Sequence, residues 1–156
     1  MVGPNFANTN LDTPSLPGSI PSLIEDGKRV IIDVGGDDAG ATALGVYASR
    51  MVDSEPDVLY VINRYRSMTT HPEEAAEILA EIEKASRLKA TGLVNNSHLK
   101  QRTDESVIMG SVDFAGRVSE LTGLPIRFTA VPRNINLLNK IPNIYPIDVC
   151  VRAPWE

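Results

Sequence analysis

The strongest constraint on what this chain can fold into is an alternation that runs from residue 29 to residue 134. Short apolar runs such as Val30-Ile31-Ile32 and Val58-Leu59-Tyr60-Val61-Ile62 are separated by longer stretches with apolar residues at helical spacing. The short runs are continuous, not alternating with polar residues, which marks strands buried on both faces. Such strands with helices between them imply right-handed crossovers and a parallel sheet. The pattern predicts strands at 29–34, 58–63, 91–95 and 126–129, and helices at 39–52, 72–88 and 104–121. A last extended segment is expected at 144–151. The expected fold class is α/β: three layers, a mainly parallel sheet with helices on both faces.

Two helices are marked most clearly. Pro72 suits a first-turn position, and Glu73 and Glu74 beside it suit the positive end of a helix dipole. Ala75, Ile78, Leu79, Ile82 and Ala85 then form one stripe. In the next helix Ile108, Val112, Ala115, Val118 and Leu121 repeat the spacing, and Gly123 closes it. Residues 1–27 differ: they hold four of the chain's 11 prolines, and only a short helix at 19–26 is expected there. This gives a Pro-rich N-terminal segment, 1–27, followed by one α/β domain, 28–156.

The chain carries a net charge of −5 and no block of Lys or Arg. That argues against a nucleic-acid surface as the main function. No apolar run reaches the roughly 20 residues of a membrane span. The first ten residues do not read as a signal peptide, and a lone Cys150 permits no internal disulfide. A cytoplasmic location is the expectation.

Parallel strands place their carboxyl ends on one edge, where open α/β sheets bind ligands. Polar residues follow each run: Asp33 with Gly35, Gly36, Asp37 and Asp38; Asn63 with Arg64; Asn95 with Asn96 and Ser97; and Thr129 to Asn134. Asp33 has two readings, a turn-capping acid or a metal-facing carboxylate. Asn96 is either a ligand contact or an ordinary turn residue. Asn63-Arg64-Tyr65-Arg66 could meet a phosphate, since Arg favours oxyanions, or form a surface loop. His71 and His98 stand far apart with no second ligand nearby, so neither reads as a metal ligand. Cys150 in an apolar run reads as buried and inert.

At these residues the chain resembles the later two-thirds of a MinD/ParA/CobQ-type P-loop ATPase. Val30-Ile31-Ile32-Asp33-Val34-Gly35-Gly36 is similar to the Walker B strand and its switch loop. Val58 to Asn63 is similar to the next strand. Gly92-Leu93-Val94-Asn95-Asn96 resembles the strand whose final Asn lies near the nucleotide base. The stretch from Gly123 to Pro132, Arg133 and Asn134 resembles the segment that closes over the base. The resemblance implies ATP and Mg²⁺ as ligands. Asn96, Pro132 and Arg133 would contact nucleotide, Asp33 would hold Mg²⁺ through water in a complete site, and Gly35 and Gly36 would form the switch loop.

The motif G-x-x-x-x-G-K-S/T occurs nowhere in these residues. Without that phosphate cradle neither ATP nor Mg²⁺ is expected to be held by this chain alone, and no hydrolysis is expected from it. In the family the P-loop strand lies beside the Walker B strand. Its absence would leave the 29–34 strand with an unpaired edge, so self-association is expected. Three readings follow: the C-terminal part of a nucleotide-binding ATPase-like protein, an assembly or partner-binding module on a degraded fold, or an unrelated doubly wound domain for an anion or nucleotide.

Overall fold

Three of the expected strands form, and the last extended segment supplies a fourth. The computed structural model describes residues 20–25, 29–36, 38–137 and 139–150. These fall into two compact units. One holds the described residues up to Val58 together with Ile78–Lys89; the other holds Leu59–Glu77 and the residues from Ala90 on.

The second unit contains the whole sheet. Strands β1 (Leu59–Ile62), β2 (Gly92–Asn95), β3 (Ile126–Pro132) and β4 (Ile144–Ile147) lie in the order β1-β2-β3-β4. Every neighbouring pair is parallel. Tyr60 stands beside Leu93 and Ile62 beside Asn95. Between β2 and β3 the register slips after Leu93, a bulge in the ladder.

Helix α4 (Pro72–Ser86) connects β1 to β2, and α5 (Glu105–Met109) and α6 (Val112–Thr122) connect β2 to β3. Both crossovers step the same way across the sheet, so right-handedness sends both to one face. The packing agrees. Ala75 from α4 and Phe114, Ala115 and Val118 from α6 form one buried cluster with Ile62 and Leu93. Strand residues alternate between faces, so Leu59 and Val61 point the other way, and they are 41% and 55% exposed. The link from β3 to β4 has no helix among the described residues. Leu137 and Ile141 fill that role, packing with Ile108 and Val131 in a second cluster.

The expected helix at 104–121 is interrupted, because Gly110 and Ser111 separate α5 from α6. Asp104 caps α5, its Oδ1 accepting from the Val107 N–H at 2.9 Å. Gly123 ends α6 with φ of 71° and donates to the Ser119 carbonyl at 2.9 Å. That left-handed conformation strains any residue with a Cβ. Gly123→Ala is therefore expected to lower stability by about 1 kcal/mol. A urea melt with an unchanged midpoint would contradict this.

In the first unit α1 (Ile20–Glu25) falls within the short helix expected at 19–26, and α2 (Asp38–Gly45) and α3 (Ala48–Val52) replace the single helix expected at 39–52. Ala48, Met51 and Leu88 make its core, with Ile24, Leu44 and Val58 against them. Gly45 marks the break. A Cβ there would stand 2.6 Å from the Ala85 carbonyl oxygen, so close backbone approach requires glycine.

The strand expected at 29–34 does not form. Residues 29–34 form no helix and join no strand among the described residues. Ile31 is 92% exposed, and Val30 and Ile32 are also exposed. An apolar run is buried only where neighbouring strands and layers cover it, and here no strand pairs with it. The proposed N-terminal segment lies almost wholly outside the described residues.

Candidate functional site

The carboxyl edge of the sheet is organised around Asn63, the first residue after β1. Its Oδ1 accepts from the Tyr65 N–H at 3.0 Å and from the His98 N–H at 3.3 Å. Its carbonyl accepts from the Arg66 N–H at 3.2 Å and from Thr69 Oγ1 at 2.8 Å. The first contact is an Asx turn, a local bond that Asn makes readily. The second ties the loop after β1 to the loop after β2. Arg64 reinforces the tie, its N–H donating to Ser97 Oγ at 3.0 Å.

Beneath these loops Asn95 is 1% exposed, and Ser97 and Ser111 are equally buried. Asn95 Nδ2 donates to Ser111 Oγ at 2.9 Å, and Asn95 Oδ1 accepts from the Ser97 N–H at 3.2 Å. A buried carboxamide is stable only when its donors and acceptors are matched in this way. Two further bonds anchor the first loop on α5 and the turn after it. The Tyr65 hydroxyl donates to the Val107 carbonyl at 2.8 Å, and Arg64 Nη1 donates to the Gly110 carbonyl.

The stitched loops present a concentration of positive charge. Arg66 comes from the first loop. Lys100 and Arg102 come from the second, which also carries His98, and Lys100–Arg102 form a 3-10 turn. Lys100 sits at φ of 54°, a strained conformation for a side chain of its kind. Its N–H donates to His98 Nδ1 at 3.2 Å. Among the described residues no carboxylate is ion-paired with Arg66, Lys100 or Arg102.

Burial first, then the charges of Arg66 and Lys100, hold the His98 imidazole below its ordinary pKa. The folded state thus disfavours the protonated form. Below the unfolded midpoint of about 6.5 the unfolded chain binds more protons than the folded one, so stability falls as pH drops through that region toward the folded value. An NMR titration is expected to place the His98 midpoint below that of a reference peptide, and to raise it when phosphate is added. A midpoint at or above the reference would contradict this.

The residues singled out from sequence take definite places. Asn96 follows β2 on this edge. Its N–H donates to the Ile62 carbonyl at 2.9 Å, while its half-buried carboxamide has no hydrogen-bond partner among the described residues. Pro132 ends β3 on the same edge and is buried. Arg133 follows it, its N–H donating to the Ile147 carbonyl at 3.0 Å and its Nε meeting Asp148 Oδ1 at 3.1 Å. Asp33 belongs to the other unit and is exposed. Gly35 and Gly36 follow it there. A Cβ on Gly40 would come within 2.5 Å of the Gly35 carbonyl oxygen. Cys150 is exposed, contrary to the expectation of burial.

No group of three His, Cys, Asp or Glu that could hold a metal occurs among the described residues. The edge itself is cationic and amide-rich. No described helix is long and apolar enough to cross a membrane. No protein-family model matches the chain, and no curated protein or solved structure is significantly similar to it.

Proposed function

We propose that this chain, against the expectation drawn from its missing phosphate cradle, binds a nucleoside triphosphate such as ATP at the carboxyl edge of its sheet, and that these residues by themselves do not hydrolyse it. The observation that carries the reading is the pair of loops locked together by Asn63. They carry Arg66, Lys100 and Arg102, with no carboxylate paired to them among the described residues, on a chain whose net charge is −5. Clustered cations without counter-charges favour an oxyanion, and Arg matches phosphate geometry well. Asn96 adds a carboxamide able to donate and accept against a base edge. Pro132 and Arg133 lie at the end of the strand next to it.

The resemblance to MinD/ParA/CobQ-type ATPases points the same way, and in that reading a second helical layer covers the other face of the sheet. Hydrolysis needs phosphates positioned and their charge stabilised along the reaction. These 156 residues contain no Gly-rich cradle with its lysine, so that part would come from outside them.

Calorimetric titration tests the reading. ATP is expected to bind at low ionic strength, more tightly than adenosine, and to weaken as salt screens the cations. Phosphate release from ATP is expected to stay at background. Absence of ATP binding at millimolar concentration would overturn the proposal. Turnover that disappears in Asp33→Ala would overturn its non-hydrolysing part.

A further inference from the structure

Two features of the fold are unmatched. Strand β1 is an edge, pairing only with β2 among the described residues. Natural edge strands are usually blunted by Lys, Pro or a bulge. The opposite edge, β4, carries Pro146. Strand β1 reads Leu59-Tyr60-Val61-Ile62, with no charge and no proline, and its Leu59 and Val61 are exposed. The second feature is the segment 29–34: rich in β-branched residues, free of proline and pairing with no strand among the described residues, with Ile31 almost fully exposed.

We infer that the 29–34 segment of one copy adds as a parallel strand to the β1 edge of a second copy, and that the exchange is reciprocal, giving a homodimer. Charge selects the partner and the direction. The residues leading into β1 are acidic (Asp53, Glu55, Asp57), and Arg64 follows it. The segment is flanked in the opposite sense, with Lys28 and Arg29 before it and Asp33, Asp37 and Asp38 at and after its end. Laid parallel, Arg29 comes beside the acids ahead of β1, and Asp37 comes within one position of Arg64. Laid antiparallel, like charges meet at both ends, an arrangement that like-charge repulsion disfavours. In the parallel register that places Arg29 beside Asp57, Ile31 stands beside Leu59. Backbone hydrogen bonds supply the pairing and the alternate side chains its register, as in other strand-addition complexes.

The test uses the full chain with Cys150→Ser as background. Light scattering across micromolar concentrations is expected to show a dimer. Copies carrying Ile31→Cys, mixed with copies carrying Leu59→Cys, are expected to form a disulfide-linked heterodimer under mild oxidation. Val61→Lys places a charge on the edge and is expected to shift the population to monomer. Arg29→Glu is expected to raise the dissociation constant roughly two- to fivefold at low salt. Circular dichroism confirms that each variant folds. A monomer throughout the range overturns the inference, as does a dimer whose mixed variants do not cross-link. A monomeric Ile31→Cys/Leu59→Cys double variant that cross-links within one chain also overturns it, by assigning the edge to the chain's own segment.

Discussion

Leu93→Ala is expected to destabilise the protein by about 2–5 kcal/mol, the range for emptying a fully buried leucine site. Leu93 is 0% exposed at the centre of the sheet and packs with Ile62, Ala75 and the inner face of α6. The surrounding groups come from two strands and two helices, so they cannot collapse into the space without moving the sheet. A loss of that size is a large share of the 5–15 kcal/mol that a typical domain has. Urea unfolding followed by circular dichroism measures it. Leu121→Ala is the control. It continues the same helical stripe in sequence but is 41% exposed, so its cost should be about 0.5 kcal/mol. Equal costs at the two positions would mean that α6 does not pack as described.

The second large effect concerns the cationic edge. Arg66→Glu combined with Lys100→Glu is expected to lower affinity for ATP about tenfold or more. Hydrogen bonds to charged groups are worth about 1.5–3 kcal/mol each, and the reversal also replaces attraction by repulsion. Both side chains are exposed, so thermal stability should change little. The same variant carries an internal check. Two carboxylates in place of two cations next to His98 should raise its pKa, and with it the NMR midpoint. A double variant that keeps full ATP affinity while shifting His98 would separate the charge cluster from nucleotide binding.

Much of the fold was legible in the residues because burial imposes a period. Pro72 and the Ala75–Leu79 part of its stripe marked α4, and the adjacent apolar Leu93 and Val94 marked β2, which is buried along its whole length. The segment 29–34 has the same character and yet forms no strand. Composition reports that a segment could be buried between neighbours, and says nothing of whether those neighbours exist. Leu121 and Phe114 show a finer limit of the same kind. The chosen stripe included Leu121, which is exposed, and omitted Phe114, which is buried, because the stripe that faces the sheet depends on how the helix is rotated against it.

The edge residues were legible in part. Parallel topology brings Asn63, Asn96 and Pro132 to one end, and that follows from strand order alone. The role of Asn63 as the tie between two loops is a long-range contact that no local pattern reveals. The charge cluster was only half visible. Asn63 to Arg66 stood out as a possible phosphate contact, whereas Lys100 and Arg102 stand in a short turn whose approach to Arg66 depends on that tie. A Lys-x-Arg placed directly after a strand-end loop was the available signal.

Mapping backbone amide shifts by two-dimensional NMR during an ATP titration tests nucleotide binding at this edge most directly. The largest perturbations are expected at Asn63 to Arg66, Asn96 to Arg102 and Arg133, with the Arg66→Glu/Lys100→Glu variant losing them. Saturating ATP that leaves those amides unmoved, or that shifts residues at the amino ends of the strands instead, would contradict it.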